Sequence, residues 1–388
     1  MIETIASGIR MLSVLDTDID LFEGQYPVPR GVSYNTYLIE DGKTVLLDTV
    51  DARKQDEWMA LLRQALHGGQ VDMLVISHME PDHAGSIRAL VEAYPSVELV
   101  GNAKTFAMLD QFAREPLNVR RRVVAEGDVL AIGGHMLRFV MAPMVHWPEV
   151  MVCCEETQKV LFSADAFGCF GEPEDTPCWE DEARRYYANI VGKYGAQVQT
   201  LLKKASALDI AVICPLHGPA LRGEKMDRAL ELYGLWSRYT PQEHGVLVAY
   251  AGFHGHTAEA AKLLADELNA RGEKTALIDL ARVHKSYAVG EAFRYDRAVL
   301  AAATYDGGYA PAMEAFLLSL KAKLWQNRDV ALLENGTWAP MSAKFMRQAL
   351  EGMKNIRVRD GQVTIRSAMS EQNRQELAAL ADALASDK

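Results

Sequence analysis

The segment His78-Met79-Glu80-Pro81-Asp82-His83 follows directly on the apolar run MLVIS (73–77), and it constrains the fold more than any other feature of the chain. An apolar run that ends in a burst of imidazoles and carboxylates reads as a buried strand with metal-capable side chains at its exit. The pattern recurs: His146 comes after MLRFVMA (136–142), Asp165 after KVLFSA (159–164) and His217 after IAVIC (210–214). Groups at the exits of neighbouring strands converge on one rim of a sheet structure, where a metal site can be held rigidly. A lone histidine is ordinarily a core or surface residue. Four of the chain's ten in this one context, interleaved with Glu80, Asp82 and Asp165, point instead to two metal ions.

The rest of the chain divides by pattern. At 388 residues it is too long for one ordinary core, so two domains are expected. Up to about residue 220 short strands and hairpins dominate. VSYNTYLI and KTVLLDTV flank the turn at Asp41-Gly42, and VELVG, VLAI and EVMVCC follow, with helices around 51–66, 86–94 and 180–206. The charged stretch GEKMDRALELYGLWSRY leads to Thr240-Pro241, a stop and linker, which places the domains at 1–242 and 243–388. Beyond it, GVLVAY, TALIDL, RAVLAAA, DVALLE and QVTIRS alternate with helical stretches near 257–271, 311–323, 343–354 and 370–386. That alternation implies a five-stranded, doubly wound parallel sheet.

Charge and cysteine usage narrow the function classes. A net charge of -11 argues against nucleic acid or an anionic membrane surface as the main partner. No stretch approaches 18 uncharged apolar residues and no signal peptide opens the chain, so a cytoplasmic, membrane-free protein is expected. Cys153, Cys154, Cys169, Cys178 and Cys214 include no C-x-x-C pair, which excludes a zinc ribbon, an iron–sulfur cluster or a rubredoxin knuckle. Adjacent Cys153 and Cys154 read as small buried hydrophobes.

The motif H-x-E-x-D-H, with VHWPEVMV around His146, SADAFG around Asp165 and CPLHG around His217, resembles the metallo-β-lactamase-like fold as flavodiiron proteins use it. The intervals agree in order: 62 residues between His83 and His146, 18 to Asp165 and 51 to His217. RGVSYNTYLI (30–39) and RRYYANIV (184–191) also look like family segments, so the likeness spans essentially the whole chain. It implies an α/β protein, an N-terminal metallo-β-lactamase-like αββα sandwich followed by a flavodoxin-like sheet. By resemblance, His78, Glu80 and His146 complete one iron, Asp82 and His217 the other, and Asp165 bridges them. His83 either ligates the second iron or backs it. Hydrolases of this fold generally carry a second histidine where this chain has Glu80; a harder, anionic oxygen ligand suits iron. Where many family members have F-H-G this chain has Phe22-Glu23-Gly24, and Glu23 is either at the open face of the site or a surface carboxylate. Tyr186 and Tyr187 either approach the substrate pocket or pack as helix aromatics.

A flavodoxin-type sheet binds its ligand at the carboxyl ends of the strands. Three loops stand there. Gly252, Phe253, His254, Gly255, His256 and Thr257 follow the first strand and open a helix, the expected phosphate cradle. Thr304, Tyr305, Asp306, Gly307 and Gly308 follow the third strand, and Asn335, Gly336, Thr337, Trp338 and Ala339 the fourth, with Tyr305 or Trp338 against the flavin face. Thr257 is the single hydroxyl of the first loop, where family loops carry several. His254 and His256 either donate to phosphate or cap the helix, and Pro340 removes a backbone donor.

The resemblance thus implies two irons, one FMN and reduction of dioxygen or nitric oxide. It implies a head-to-tail homodimer or a dimer of such dimers, because FMN and iron of one chain lie too far apart in the family. It also implies a separate electron donor, rubredoxin or reduced deazaflavin. Arg120, Arg121 and Arg122 either dock an acidic donor or form a solvated charge run. The rival readings are a zinc hydrolase with a flavodoxin-like accessory domain, against which Glu80 speaks, and an electron carrier with a vestigial metal site.

Overall fold

The computed structural model describes residues 1–113, 115–174 and 176–386, and the chain divides into two compact units. One comprises Met1–Tyr187 and Tyr194–Gly234, the other Ala188–Lys193 and Leu235–Lys388.

In the first unit the strands run β1 (Ile2–Ala6), β2 (Ile9–Asp16), the short hairpin of β3 (Leu21–Phe22) and β4 (Tyr26–Pro27), β5 (Val32–Glu40), β6 (Thr44–Leu47), β7 (Met73–Val75), β8 (Glu98–Gly101) and β9 (Arg120–Val123). They continue through β10 (Val129–Ile132), β11 (His135–Met141), β12 (Met151–Glu155), β13 (Val160–Phe162), β14 (Val212–Cys214) and β15 (Leu221–Arg222). Between them lie α1 (Gln55–Leu66), α2 (Pro81–Ala84), α3 (Ile87–Ala93), α4 (Ala103–Phe112), α5 (Trp179–Tyr186) and α6 (Gly195–Ala205), before α7 (Gly223–Ser237). A seven-stranded sheet has the order β1-β2-β5-β6-β7-β8-β9, and a six-stranded one the order β10-β11-β12-β13-β14-β15. Eight of the nine residues of β5 are buried, as a strand covered on both faces requires. Ser33 N, near the start of β5, donates to Gly171 O at 3.1 Å, and Met151 N, at the start of β12, donates to Ser77 O, just beyond β7, at 3.1 Å, so the β7 and β12 ends of the two sheets are tied together. This is the αββα sandwich expected.

Local sequence accounts for the details. The Asp41-Gly42 turn joins β5 and β6 in antiparallel register, Tyr37 opposite Leu47. The helix expected over 180–206 is divided into α5 and α6 by a wider, π-helical turn over Tyr187–Val191 and a tighter, 3-10 turn over Gly192–Tyr194. Cys153 and Cys154 are buried in β12. The arginine run lies on the edge strand β9: Arg121 grips Asp110 through both terminal nitrogens at 2.7 and 3.0 Å, and Arg122 reaches Glu98 at 3.1 Å. Those charges are engaged within the chain.

The second unit holds β16 (Glu243–Ala251), β17 (Thr275–Asp279), β18 (Tyr295–Tyr305), β19 (Gly308–Tyr309), β20 (Arg328–Asn335), β21 (Ile356–Val358) and β22 (Val363–Ile365). Its helices are α8 (His256–Ala270), α9 (Lys285–Arg294), α10 (Pro311–Ala322), α11 (Ser342–Leu350) and α12 (Glu371–Ala385). The sheet order is β17-β16-β18-β20-β21, all parallel, the doubly wound arrangement expected. The fifth position is shared: β21 pairs with the start of β20 and β22 with its end, separated at Gly361, whose φ of 80° breaks the run. Helix α9 escaped the pattern reading; His284 caps it through its side chain, an unusual start signal. On one face α8 and α12 close the core, with Leu264, Leu268, Leu377 and Leu384 against Val248, Val299 and Leu333.

Candidate functional site

All seven sequence-predicted ligands meet at the strand exits of the sandwich. His78, Glu80, His146 and Asp165 offer atoms within 4.8 Å of one another, and so do Asp82, His83 and His217. Glu80 Oε2 lies 3.2 Å from His78 Nε2 and 3.1 Å from His146 Nε2. In the second group Asp82 Oδ2 lies 3.2 Å from both His83 Nε2 and His217 Nε2, and those two nitrogens are 3.0 Å apart. Asp165 joins the groups: its Oδ2 faces His146 at 3.0 Å and His78 at 3.6 Å, its Oδ1 His83 at 3.2 Å and His217 at 3.8 Å.

Neighbouring groups fix which nitrogens face inward. His78 Nδ1 pairs with Glu149 Oε1 at 2.8 Å, and His217 Nδ1 with the Ser33 carbonyl at 2.8 Å, leaving both Nε2 lone pairs for an ion. The His83 carbonyl accepts from Thr49 N and Thr49 Oγ1, at 3.0 and 2.7 Å. Asp48 Oδ1 accepts from Ser77 N at 2.7 Å and His78 N at 3.3 Å, locking the turn out of β7.

The electrostatics are those of a cage built for cations. Burial alone would push the His78 imidazole down, but Asp165, Glu149 and Glu80 lift it well above its ordinary value. His83 is raised to about 10, Asp82 and Asp165 overcoming its burial. Asp165 goes the other way: burial would raise it, while His83 and His78 hold it well below the usual carboxylate range. Both Asp82 oxygens, Asp165 Oδ1 and His83 Nδ1 are buried and find no hydrogen-bond partner among the described residues. Buried polar atoms are normally satisfied. Orphaned carboxylate oxygens amid inward-facing imidazoles fit a pair of metal ions, and the all-nitrogen-and-oxygen donor set fits iron.

Over Glu80 and Asp82 opens a cavity of about 290 Å³, bordered by Phe22, Glu23 and Tyr34. Glu23 therefore stands at the open face, in the turn between β3 and β4 with φ of 50°. The residue is exposed, yet its carboxyl lies against Glu80: burial, then the Glu80 charge, push it up to about 8. Tyr186 is fully buried, its ring centre 5.6 Å from that of His217, and its hydroxyl has no partner among the described residues. It adjoins the site, whereas Tyr187 packs on Tyr233 at 5.0 Å. Glu149 and Asp48 were missed by the sequence reading; each is a carboxylate inside or just behind an apolar strand run, which is the signal that would have found them.

In the second unit the three loops enclose a cavity of about 510 Å³. Of the predicted residues, Phe253, His254, His256, Thr257, Thr304, Asp306, Gly307, Asn335, Gly336, Thr337, Trp338 and Ala339 line it; Gly252, Gly255, Tyr305 and Gly308 do not. Ala303, Met341 and Ser367 line it unforeseen. Two predicted groups have structural duties. Thr304 Oγ1 accepts from Met341 N at 2.9 Å, and the Asn335 amide clasps Ser367, accepting from its N at 3.1 Å and donating to its carbonyl at 2.9 Å. The cavity fits FMN in size and lining. Helix α8 starts behind Gly255 (φ 90°) with no side-chain cap, and a Cβ on Gly252 would sit 2.8 Å from Thr257 Cβ, so the loop needs glycine to close on the helix start. Phe253 and Trp338 at the rim, and Tyr305 beside them with its ring centre 5.0 Å from that of Phe253, are exposed at 50, 88 and 47%. Such aromatic exposure fits a ring ligand.

Known proteins resemble this chain in sequence and in fold. A family model described as ODP family beta lactamase matches residues 32–218. The rubredoxin-oxygen oxidoreductase of Megalodesulfovibrio gigas is 29% identical over 360 residues, 90% of this chain and 89% of that protein. The nitric oxide reductase of Moorella thermoacetica is 28% identical over 360 residues, 90% of each chain. The flavo-diiron protein FprA2 of Clostridium acetobutylicum is 32% identical over 287 residues, 71% of this chain and 70% of that one. Among solved structures, the rubredoxin oxygen:oxidoreductase from Desulfovibrio gigas superposes with a TM-score of 0.90 at 26% identity, covering 99% of this chain and 98% of the other.

Proposed function

The chain belongs to the flavodiiron protein family, and from that premise we propose that it reduces dioxygen to water, nitric oxide to nitrous oxide, or both, with electrons passing from an external donor through FMN to a diiron centre. It is an oxidoreductase whose cofactors are FMN and two irons. The observation that carries the reading is Asp165, whose two oxygens face the two ligand groups separately. We assign His78, Glu80 and His146 to one iron, Asp82, His83 and His217 to the other, and Asp165 to both. His83 is taken as a ligand because its Nε2 stands 3.2 Å from both Asp82 Oδ2 and Asp165 Oδ1.

The irons supply ferrous–ferric chemistry at the gas, and FMN supplies electrons one at a time. The protein's own contribution is placement. Glu149 and the Ser33 carbonyl hold the His78 and His217 rings in one tautomer and orientation. Phe22, Tyr34 and Tyr186 pack around His217 of the second group, with ring centres 5.4, 5.9 and 5.6 Å from its own, and hold that ring in place. Phe253, Tyr305 and Trp338 supply the faces against which a flavin ring would lie.

We place the metal-binding domain at 1–242 and the flavin domain at 243–388, in a cytoplasmic head-to-tail homodimer. The donor is a separate protein or cofactor, rubredoxin or reduced deazaflavin; the name of the Megalodesulfovibrio gigas relative favours rubredoxin. No described helix is long and apolar enough to cross a membrane. The test is turnover of each gas by iron-loaded protein with both donors. Stoichiometric zinc in protein grown with ample iron, with no consumption of either gas, defeats the proposal.

A further inference from the structure

A phosphate in the flavin cavity would meet the loop and helix start described above and few charged side chains. Among the described residues lining the cavity there is no lysine or arginine, and His254 and His256 are the two side chains able to carry positive charge. The neutral donors are few. Thr304 Oγ1 and the Asn335 amide are engaged as described, and the Thr337 and Ser367 hydroxyls pair with each other at 2.8 Å. Thr257, 3% exposed, lines the cavity, and its hydroxyl has no partner among the described residues. The two imidazoles flank Gly255, at the uncapped start of α8, and both are exposed.

We propose that His254 and His256, with Thr257 and the first turn of α8, form a proton-dependent phosphate clamp that sets the preference of this cavity for FMN over the unphosphorylated flavin. The inference rests on the flavin reading above and adds what holds the phosphate in this chain. A phosphate monoester is essentially a dianion above pH 7, its second proton leaving near pH 6. Held by an imidazolium it gains charge-assisted hydrogen bonds that a neutral imidazole only half supplies. The other charged or titratable groups near this end of the unit do not replace them. Asp306, on the turn after β18, lines the same cavity and repels phosphate. Glu259, in the first turn of α8, is paired with Arg374 of α12 at 3.3 Å. The Tyr305 ring lies tilted against that of Phe253, and Asp279, ending β17, accepts from Ala281 N at 2.9 Å. The phosphate affinity therefore follows the imidazoles.

The test titrates full-length, iron-loaded, flavin-stripped protein with FMN and with riboflavin, by quenching of flavin fluorescence, from pH 6.5 to 8.5. The variants are His254→Asn, His256→Asn and the pair together; the residues are exposed, and circular dichroism verifies folding. One proton taken up on binding raises the dissociation constant up to about tenfold per pH unit above the imidazole range. The wild-type ratio of FMN to riboflavin affinity should fall about tenfold or more across the window. In the double variant it should be lower at pH 6.5 and nearly flat, the phosphate's own titration being common to both proteins. An FMN to riboflavin ratio with the same pH dependence in both proteins overturns the clamp while leaving the flavin cavity intact. Failure of wild type to bind either flavin at any pH overturns the clamp together with the flavin reading itself.

Discussion

Glu149 offers the sharpest test of the metal centre, because it touches one ligand group and not the other. Its Oε1 accepts from His78 Nδ1 at 2.8 Å and from Met79 N at 2.9 Å, and the residue is 1% exposed. Burial would raise this carboxyl, but the His78 imidazole, foremost, and the Met79 N–H hold it lowered, so it is ionised. An anionic acceptor behind a ligating imidazole fixes the ring and makes the opposite nitrogen a better donor. Glu149→Gln keeps an oxygen of the same size and loses the charge, which should weaken the His78-side ion about tenfold, or ~1.4 kcal/mol. Glu149→Ala also strands two buried donors and frees the ring, and should cost about a hundredfold, or ~2.8 kcal/mol. The assay is chelator competition followed by metal analysis. Wild type should release its ions at similar chelator concentrations, and the variants in two separated steps, the ion held by Asp82, His83 and His217 being retained longer. Release of both ions together in Glu149→Ala, or release unchanged from wild type, refutes the reasoning.

Other perturbations address the remaining links. Asp165→Ala should lose both irons rather than one, since each oxygen serves a different group; metal analysis showing one tightly held ion would contradict the bridge. Asp165→Ala mixed with Thr257→Glu, which adds a charge at the phosphate cradle, should regain gas consumption in proportion to the mixed dimer measured by mass spectrometry, if electrons pass between chains. Arg297 and Glu273 form a buried ion pair in the second unit, exposed at 2 and 3%. Glu273→Ala should destabilise that unit by about 3–5 kcal/mol in denaturant, and replacement of both partners by methionine should recover most of it.

What the sequence disclosed depended on whether a residue's task left a local trace. The two groups of metal-capable side chains were legible because their members follow four apolar runs, whose strands then bring them together. The parallel sheet was legible from its alternation. Glu149 was hidden because EVMVCC reads as strand whatever its first residue does. Ser367 and Met341 reach the flavin cavity only through tertiary placement, Ser367 after a fifth strand that breaks at Gly361 and Met341 from the turn into α11. Helix α9 lacks an ordinary cap and carries Gly290 mid-run, so its 3.6-residue rhythm is faint. Gly255, Gly252, Tyr305 and Gly308 fell on the right loops, yet loop position does not fix which residues line the cavity.

The hexapeptide Ala188–Lys193 packs with the second unit although the chain on both sides of it belongs to the first. Asn189 Nδ2 donates to the Ser286 carbonyl at 3.0 Å, a buried bond across 97 residues. Three peptide bonds, not one, therefore join the two compact bodies: after Tyr187, after Lys193 and after Gly234. Neither body is a cassette. A protease acting once near Ser237 would leave the hexapeptide on one fragment and its packing partners on the other, and a gene fragment starting at residue 243 would never encode it. Grafting the flavin body of a relative onto this chain would require transplanting two discontinuous stretches together, because the short one forms part of the receiving surface for α9.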